Sequence, residues 1–226
     1  LDGGNGNDTL IGGLGADSLI GGAGTDTASY SSATGGLTAS LANSAANSGD
    51  STGDTYSSIV NLTGSNFNDS LFGDANANVL DGGSGNDTLD GGAGADTLTG
   101  GAGSDTASYS SSASGLTVSL ANTALNTGDA VGDVYNSIES LLGSGFADTL
   151  YGDSNANVLD GGAGNDTLIG GAGADTLTGG AGTDTVDYSA SSAGVTAYLT
   201  GTAGVGGDAA GDIISGVENL IGSGFN

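Results

Sequence analysis

The sequence predicts an all-β chain wound as a parallel β-solenoid. Three observations carry that expectation. Leucine or another apolar residue recurs every nine positions, each recurrence follows a glycine-rich turn, and the whole pattern repeats at an offset of 79 residues. Repeats of this kind are read before secondary structure, because one unit alone cannot bury its apolar face and stacked neighbours can.

The nine-residue period is plainest at Leu62, Leu71, Leu80, Leu89 and Leu98, whose segments read LTGSNFNDS, LFGDANANV, LDGGSGNDT, LDGGAGADT and LTGGAGSDT. Leu1, Leu10 and Leu19 repeat it, as do Leu159, Leu168 and Leu177 with Leu141 and Leu150 leading in. Nine fits the helical period of 3.6 poorly. Glycine pairs would also cost a helix about 1 kcal/mol per residue relative to alanine. Each nonapeptide therefore divides into a glycine turn and a minimal strand, with Leu inward and its neighbours outward. Two nonapeptides make a coil of 18 residues, and successive coils stack about 4.8 Å apart.

The longer period aligns Leu1, Leu80 and Leu159, each opening LDGG. It also aligns Tyr30, Tyr109 and Tyr188, then Phe67, Phe146 and Phe225, and Asp54, Asp133 and Asp212. The expected organisation is a single elongated solenoid over 1–226, built of units 1–79, 80–158 and 159–226, the last cut short. Nonapeptide blocks lie at about 1–27, 62–106 and 141–185. After Ala28, Ala107 and Val186 comes a 34-residue interruption. Inside it GLTASLA (36–42), GLTVSLA (115–121) and GVTAYLT (194–200) alternate like half-buried strands. A second apolar piece follows around Tyr56–Leu62, Tyr135–Leu142 and Ile214–Ile221, and these segments are expected to continue the solenoid with longer coils. The chain opens in mid-pattern at Leu1 and reads as a piece of something longer.

Composition narrows the chemistry. Among 226 residues there are 48 glycines, 26 acidic residues and no Lys, Arg, His, Cys, Met, Trp or Pro, for a formal net charge of −26. Without Cys there is no disulfide and no thiolate. Without His the commonest general base and the imidazole ligand are missing. Without Lys or Arg there is no phosphate clamp and no basic patch for nucleic acid. No run of about 18 apolar residues exists, so no membrane insertion is expected. A catalytic role would rest on carboxylates alone, and the expectation is that the chain is not an enzyme. High charge and abundant Gly and Ser resemble disorder. However, 36% of residues are apolar and fall on a strict schedule, so the order expected here depends on an added positive charge.

The carboxylates stand at the eighth place of the nonapeptide. Coils of 18 put Asp8 next to Asp26, Asp69 next to Asp87, Asp87 next to Asp105, Asp148 next to Asp166 and Asp166 next to Asp184. Like charges so placed raise one another's pKa and must be neutralised by metal or protons. Turn formation explains an isolated Asp, but it does not require Asp at a spacing of 18. Carboxylates, glycine-turn carbonyls and water are hard oxygen donors that suit several Ca²⁺ ions, whereas zinc prefers nitrogen and sulfur.

GGNGNDTLI (3–11), GGAGTDTAS (21–29), GGSGNDTLD (82–90) and GGAGNDTLI (161–169) resemble the RTX (repeats-in-toxin) calcium-binding nonapeptide G-G-x-G-x-D-x-U-x of bacterial type I-secreted toxins, adhesins and S-layer proteins. The resemblance implies a right-handed parallel β-roll with Ca²⁺ held between turns two rungs apart. By that resemblance one site joins Gly4, Gly6 and Asp8 to Gly21, Ala23 and Asp26. A second joins Gly83, Gly85 and Asp87 to Gly100, Ala102 and Asp105. A third joins Gly162, Gly164 and Asp166 to Gly179, Ala181 and Asp184. Lead-in rungs depart from the motif. Ser65, Phe67 and Asp69 would meet Gly82, Ser84 and Asp87, and Ser144, Phe146 and Asp148 would meet Gly161, Ala163 and Asp166. Asp74, Asn76 and Asn78 would meet Gly91, Ala93 and Asp96, while Asp153, Asn155 and Asn157 would meet Gly170, Ala172 and Asp175. Asn offers a neutral oxygen, so these last sites are expected to be weaker, and Asp17 has no upstream partner in the sequence.

The resemblance also implies type I secretion to the cell surface or beyond, where calcium would drive folding. The role expected is a structural segment of a surface layer, filament or adhesin, with further copies of itself as partners end to end or side by side. The alternative is the C-terminal secretion and folding module of a toxin or hydrolase. A third reading, ice binding, rests on the outward rows of Thr9, Thr27, Thr88, Thr97, Thr106, Thr167, Thr176 and Thr185. Asp2, Asp81, Asp90 and Asp160 are expected to point to solvent, as are Glu139 and Glu218. The loop pairs Asp50/Asp54, Asp129/Asp133 and Asp208/Asp212 are read either as turn formers or as further calcium ligands. The three aligned tyrosines are expected to plug the ends of the leucine ladder.

Overall fold

A computed structural model describes residues 1–226. Apart from five short 3₁₀ turns the regular structure is all strand. Every pairing between strands is parallel and comes from residues one coil or more apart. No helix is long and apolar enough to cross a membrane. The chain divides into two compact units: Leu1–Ala107 with Gly132–Ile138, and Ser108–Val131 with Glu139–Asn226.

In the first unit one sheet stacks Thr9–Leu10, Thr27–Ser29, Asn61–Thr63, Val79–Ser84, Thr97–Ala102 and Val134–Asn136. The intervening nonapeptides supply the other wall. Asp2–Asn5, Ser18–Ala23 and Thr55–Ser57 form one sheet, and Thr38–Ser40, Ser70–Asp74 and Thr88–Gly92 run in another. Registers run leucine on leucine: Leu62↔Leu80↔Leu98 on one wall and Leu71↔Leu89 on the other. The second unit repeats this with Leu141↔Leu159↔Leu177↔Ile214 and Leu150↔Leu168↔Val186. These leucines are sealed from water, with Leu71, Leu80, Leu89, Leu98, Leu150, Leu159, Leu168 and Leu177 at 0% exposure. Removing each from water contributes about 1.5–3 kcal/mol. The inward reading holds for these leucines, and none of the eight row threonines is buried.

The interruptions behave differently from simple long coils. Thr38–Ser40 pairs forward with Ser70–Asp74, whereas the later Thr55–Ser57 pairs back with Ser18–Ala23. The chain steps ahead and then returns to fill the rung it skipped. The second interruption is split the same way: Thr117–Ser119 pairs with Thr149–Tyr151, and Val134–Asn136 pairs with Thr97–Ala102. This back-step is why residues 132–138 belong to the first unit although 108–131 belong to the second. The third interruption departs from expectation, since 194–200 forms no strand. Thr196 instead makes an antiparallel bridge to Val205, which turns the segment back on itself.

Asp90 corrects another expectation. It is 3% exposed rather than solvated. Its strand is flanked in register by Phe72 of the neighbouring strand, and its Oδ1 accepts the Gly92 N–H at 3.1 Å. Asp160 makes the same bond to Gly162 but stays half-exposed, as does Asp81, while Asp2 is exposed.

Candidate metal centres

The eighth-place carboxylates form hydrogen-bonded ladders. The backbone N–H of Asp8 donates to Oδ1 of Asp26, that of Asp69 to Asp87, and that of Asp87 to Asp105, each at 2.8 Å and across 18 residues. In the second unit Asp148 bonds Asp166 and Asp166 bonds Asp184 in the same way. Asn78 and Asn157 donate likewise to Asp96 and Asp175. Every carboxylate adjacency expected from the 18-residue coil is present.

The second oxygen of these carboxylates is a different matter. Oδ2 of Asp8, Asp17, Asp26, Asp87, Asp96, Asp166, Asp175 and Asp184 is buried and accepts no hydrogen bond. A buried unmet acceptor costs about 1–3 kcal/mol, and more when charged. With no Lys, Arg or His in the chain, no side chain can neutralise them. Burial raises Asp87 and Asp166 to about 6 and Asp96 and Asp175 to about 7, with backbone hydrogen bonds opposing and neighbouring carboxylates adding to the rise.

Main-chain oxygens converge beside them. A Cβ placed on Gly3 would lie 2.8 Å from both Asp8 Oδ2 and the Gly21 carbonyl, so the glycine leaves open a cradle bounded by those two oxygens. Gly64, Gly82, Gly143 and Gly161 mark the same cradle, each between its turn's Asp Oδ2 and the carbonyl of Gly82, Gly100, Gly161 and Gly179 respectively. At Gly73 and Gly152 the carboxylate is replaced by Oδ1 of Asn78 and Asn157, facing the Gly91 and Gly170 carbonyls. Carbonyls of the second and fourth turn residues point along the stack. Those of Gly4 and Gly6 lie against Gly22 and Gly24, whose positive φ and missing Cβ permit the approach. Gly83 and Gly85, Gly162 and Gly164, Ser65 and Phe67, Ser144 and Phe146, Asp74 and Asn76, and Asp153 and Asn155 are placed in the same way against the next coil's glycines. Phe67 and Phe146 therefore bring their carbonyls to the same place without the positive φ of the fourth-place glycines, with the rings partly exposed at 45% and 49%.

Other expected donors carry additional duties. The third-place carbonyls of Ala23, Ala102 and Ala181 accept the N–H of Gly6, Gly85 and Gly164 at 2.8–2.9 Å. Ser84, Ala93, Ala163 and Ala172 stand at the same turn place. Asp69 and Asp148 differ from the inner ladder. Each accepts from the N–H and Oγ of its own turn's Ser65 or Ser144, so the lead-in carboxylates are already bonded. No group of three acidic side chains converges; the donor set is paired carboxylates with main-chain carbonyls. That set fits a hard cation taking six to eight oxygens.

Sequence reasoning left some ladder members open or unnoticed. Asp17, Asp96 and Asp175 donate through N–H to Oδ1 of Asp54, Asp133 and Asp212, 37 residues ahead. These loop residues occupy the next ladder place, while Asp50, Asp129 and Asp208 stand in the adjoining 3₁₀ turns. The clue was the gap-free alignment of all three at 79. Glu218, although exposed, accepts the Asp184 N–H. Oδ1 of Asn7, Asn86 and Asn165 accepts the N–H of Thr25, Ser104 and Thr183, and the recurring Asn before the ladder Asp was the available signal. Tyr30 is buried at the end of its block as expected, and its hydroxyl is committed to Asp54 and Tyr56.

A β-roll of coil-paired strands with oxygen-lined turns defines a class of calcium-dependent repeat proteins. Comparison with protein families places this chain within it. The RTX calcium-binding nonapeptide repeat matches residues 1–29, 61–89, 72–107, 135–168 and 160–190, more than half of the sequence. The chain belongs to that family and is a calcium-binding β-roll. No curated protein matches it.

Proposed function

We propose that the chain is a non-catalytic, extracellular segment whose folding is driven by calcium. It would serve as a repeated structural part of a surface layer, filament or adhesin, with type I export preceding folding. The observation that carries this reading is the row of buried Oδ2 atoms with no counter-charge anywhere in the sequence. Bound Ca²⁺ supplies the missing positive charge and links oxygens of adjacent turns. Without it the thin leucine core must offset carboxylate repulsion and chain entropy together. Free calcium is low inside cells and about millimolar outside, within the range of weak extracellular sites. The recurrence of a 79-residue unit without gaps supports the structural role, because repeats add similar interfaces in series.

Far-UV circular dichroism during a calcium titration, with magnesium as control, tests the reading. A calcium-specific cooperative gain of β-structure is expected. A chain fully folded in excess chelator would overturn it. More 79-residue copies in the parent gene would favour the array, and a catalytic domain there would favour a secretion and folding module instead.

A further inference from the structure

The carboxylates of Asp54 and Asp212 sit at ladder positions, yet their surroundings differ from those of the inner steps. Asp54 Oδ1 accepts the Asp17 N–H at 2.8 Å, and its Oδ2 accepts the Tyr30 hydroxyl at 2.8 Å. Asp212 repeats this with the Asp175 N–H at 2.8 Å and the Tyr188 hydroxyl at 2.7 Å. Both oxygens of each buried carboxylate are therefore met by neutral donors, whereas Asp87 and Asp166 keep a bare Oδ2.

The following coil's carbonyl also stands less close at these steps. Beside Gly3, Gly82 and Gly161 a carbonyl of the following coil is among the nearest atoms. Beside Gly12 and Gly170 the nearest atoms all belong to that turn's own Asp17 or Asp175. The interruption approaches these turns where Gly53 packs on Ala16 and Gly211 on Ala174. Its earlier carbonyls close the loop instead. Gly49 and Ser51 accept from Thr52 and Asp54, and Gly207 and Ala209 accept from Ala210 and Asp212.

We propose that the Tyr30–Asp54 and Tyr188–Asp212 pairs are metal-free clips. In each, a hydroxyl hydrogen bond meets the carboxylate oxygen that an ion would otherwise take, so that Asp54 and Asp212 coordinate no ion and end the calcium stack at the interruption. A charge-assisted O–H···O bond suits a single carboxylate, and a bridging ion needs several converging oxygens. The inference rests on calcium occupying the inner steps, which gives its test an internal control.

Calcium per chain is counted by isothermal calorimetry for the unsubstituted protein, for Asp54→Asn with Asp212→Asn, and for Asp87→Asn with Asp166→Asn. Asparagine can accept at Oδ1 and donate to the tyrosine oxygen, so the loop variant should fold. Its ion count should equal that of the unsubstituted protein, while the inner variant should bind fewer ions or bind them about tenfold more weakly. Loss of ions in the loop variant with an unchanged dichroism spectrum would overturn the clip. Crystals of the unsubstituted protein grown in calcium give a second measurement independent of folding defects. Anomalous peaks are expected between Asp87 and Asp105, and a peak on Asp54 or Asp212 refutes the clip. Absence of peaks at every step would instead refute the calcium ladder itself.

Discussion

The backbone N–H of Asp87 donates to Oδ1 of Asp105 at 2.8 Å, and the Asp69 N–H donates in turn to Asp87. Each inner carboxylate thus spends one oxygen on holding the coil before it and keeps the other for a cation. Asp87→Asn preserves the acceptor and deletes the charge. Calcium affinity should fall about tenfold, or ~1.4 kcal/mol, with little change in the calcium-saturated spectrum. Asp2→Asn, on an exposed residue, is the control. Equal titration midpoints for Asp87→Asn and the unsubstituted chain would contradict the ladder.

Much of this ladder was legible in the sequence, because a period of nine with Asp at one place leaves few arrangements. Leu62, Leu80 and Leu98 could be set in register by counting. The back-step of Thr55–Ser57 onto Ser18–Ala23 could not be counted out, because strand order within an interruption depends on which exposed edge captures which segment. Burial of Asp90 was hidden for a similar reason. Its position beside Leu89 reads as outward, and only the neighbouring Phe72 and the bond to Gly92 reveal an enclosed carboxylate.

Gly103 has a φ of +152°, and a Cβ there would collide with the Gly85 carbonyl oxygen. Gly103→Ala should therefore both strain the turn and push away an expected calcium donor. Positive-φ strain alone costs about 1–2 kcal/mol, so the calcium midpoint should rise at least tenfold. Gly35, with open space and no positive φ, should accept alanine with little effect. Parallel calcium titrations of the two variants make the comparison.

Leu89 is fully buried and stacks on Leu71. Leu89→Ala should cost about 2–5 kcal/mol, read as a lowered Tm in saturating calcium. The leucine ladder and the metal act on the same folded state, so excess calcium should recover part of this loss by mass action. Undiminished stability would mean that the core contributes little beside the ions.

Acidity should act oppositely on the metal-free and calcium-loaded chains. Burial, reinforced by neighbouring carboxylates, raises Asp96 and Asp175 to about 7 and Asp87 and Asp166 to about 6 in the metal-free fold, against about 3.9 for Asp in an unfolded chain. The fold then binds more protons than the unfolded chain between about pH 4 and 7. By linkage the metal-free fold is favoured below that window and loses this contribution as pH rises through 6 to 7. In chelator, β-structure should accordingly increase from pH 8 to pH 5. Calcium must displace the same protons, so its titration midpoint should move to higher concentration over the same interval. Circular dichroism at pH 5 and pH 8, with and without calcium, checks both halves. A metal-free chain that loses structure on acidification would show that these carboxylates are not the groups opposing the fold.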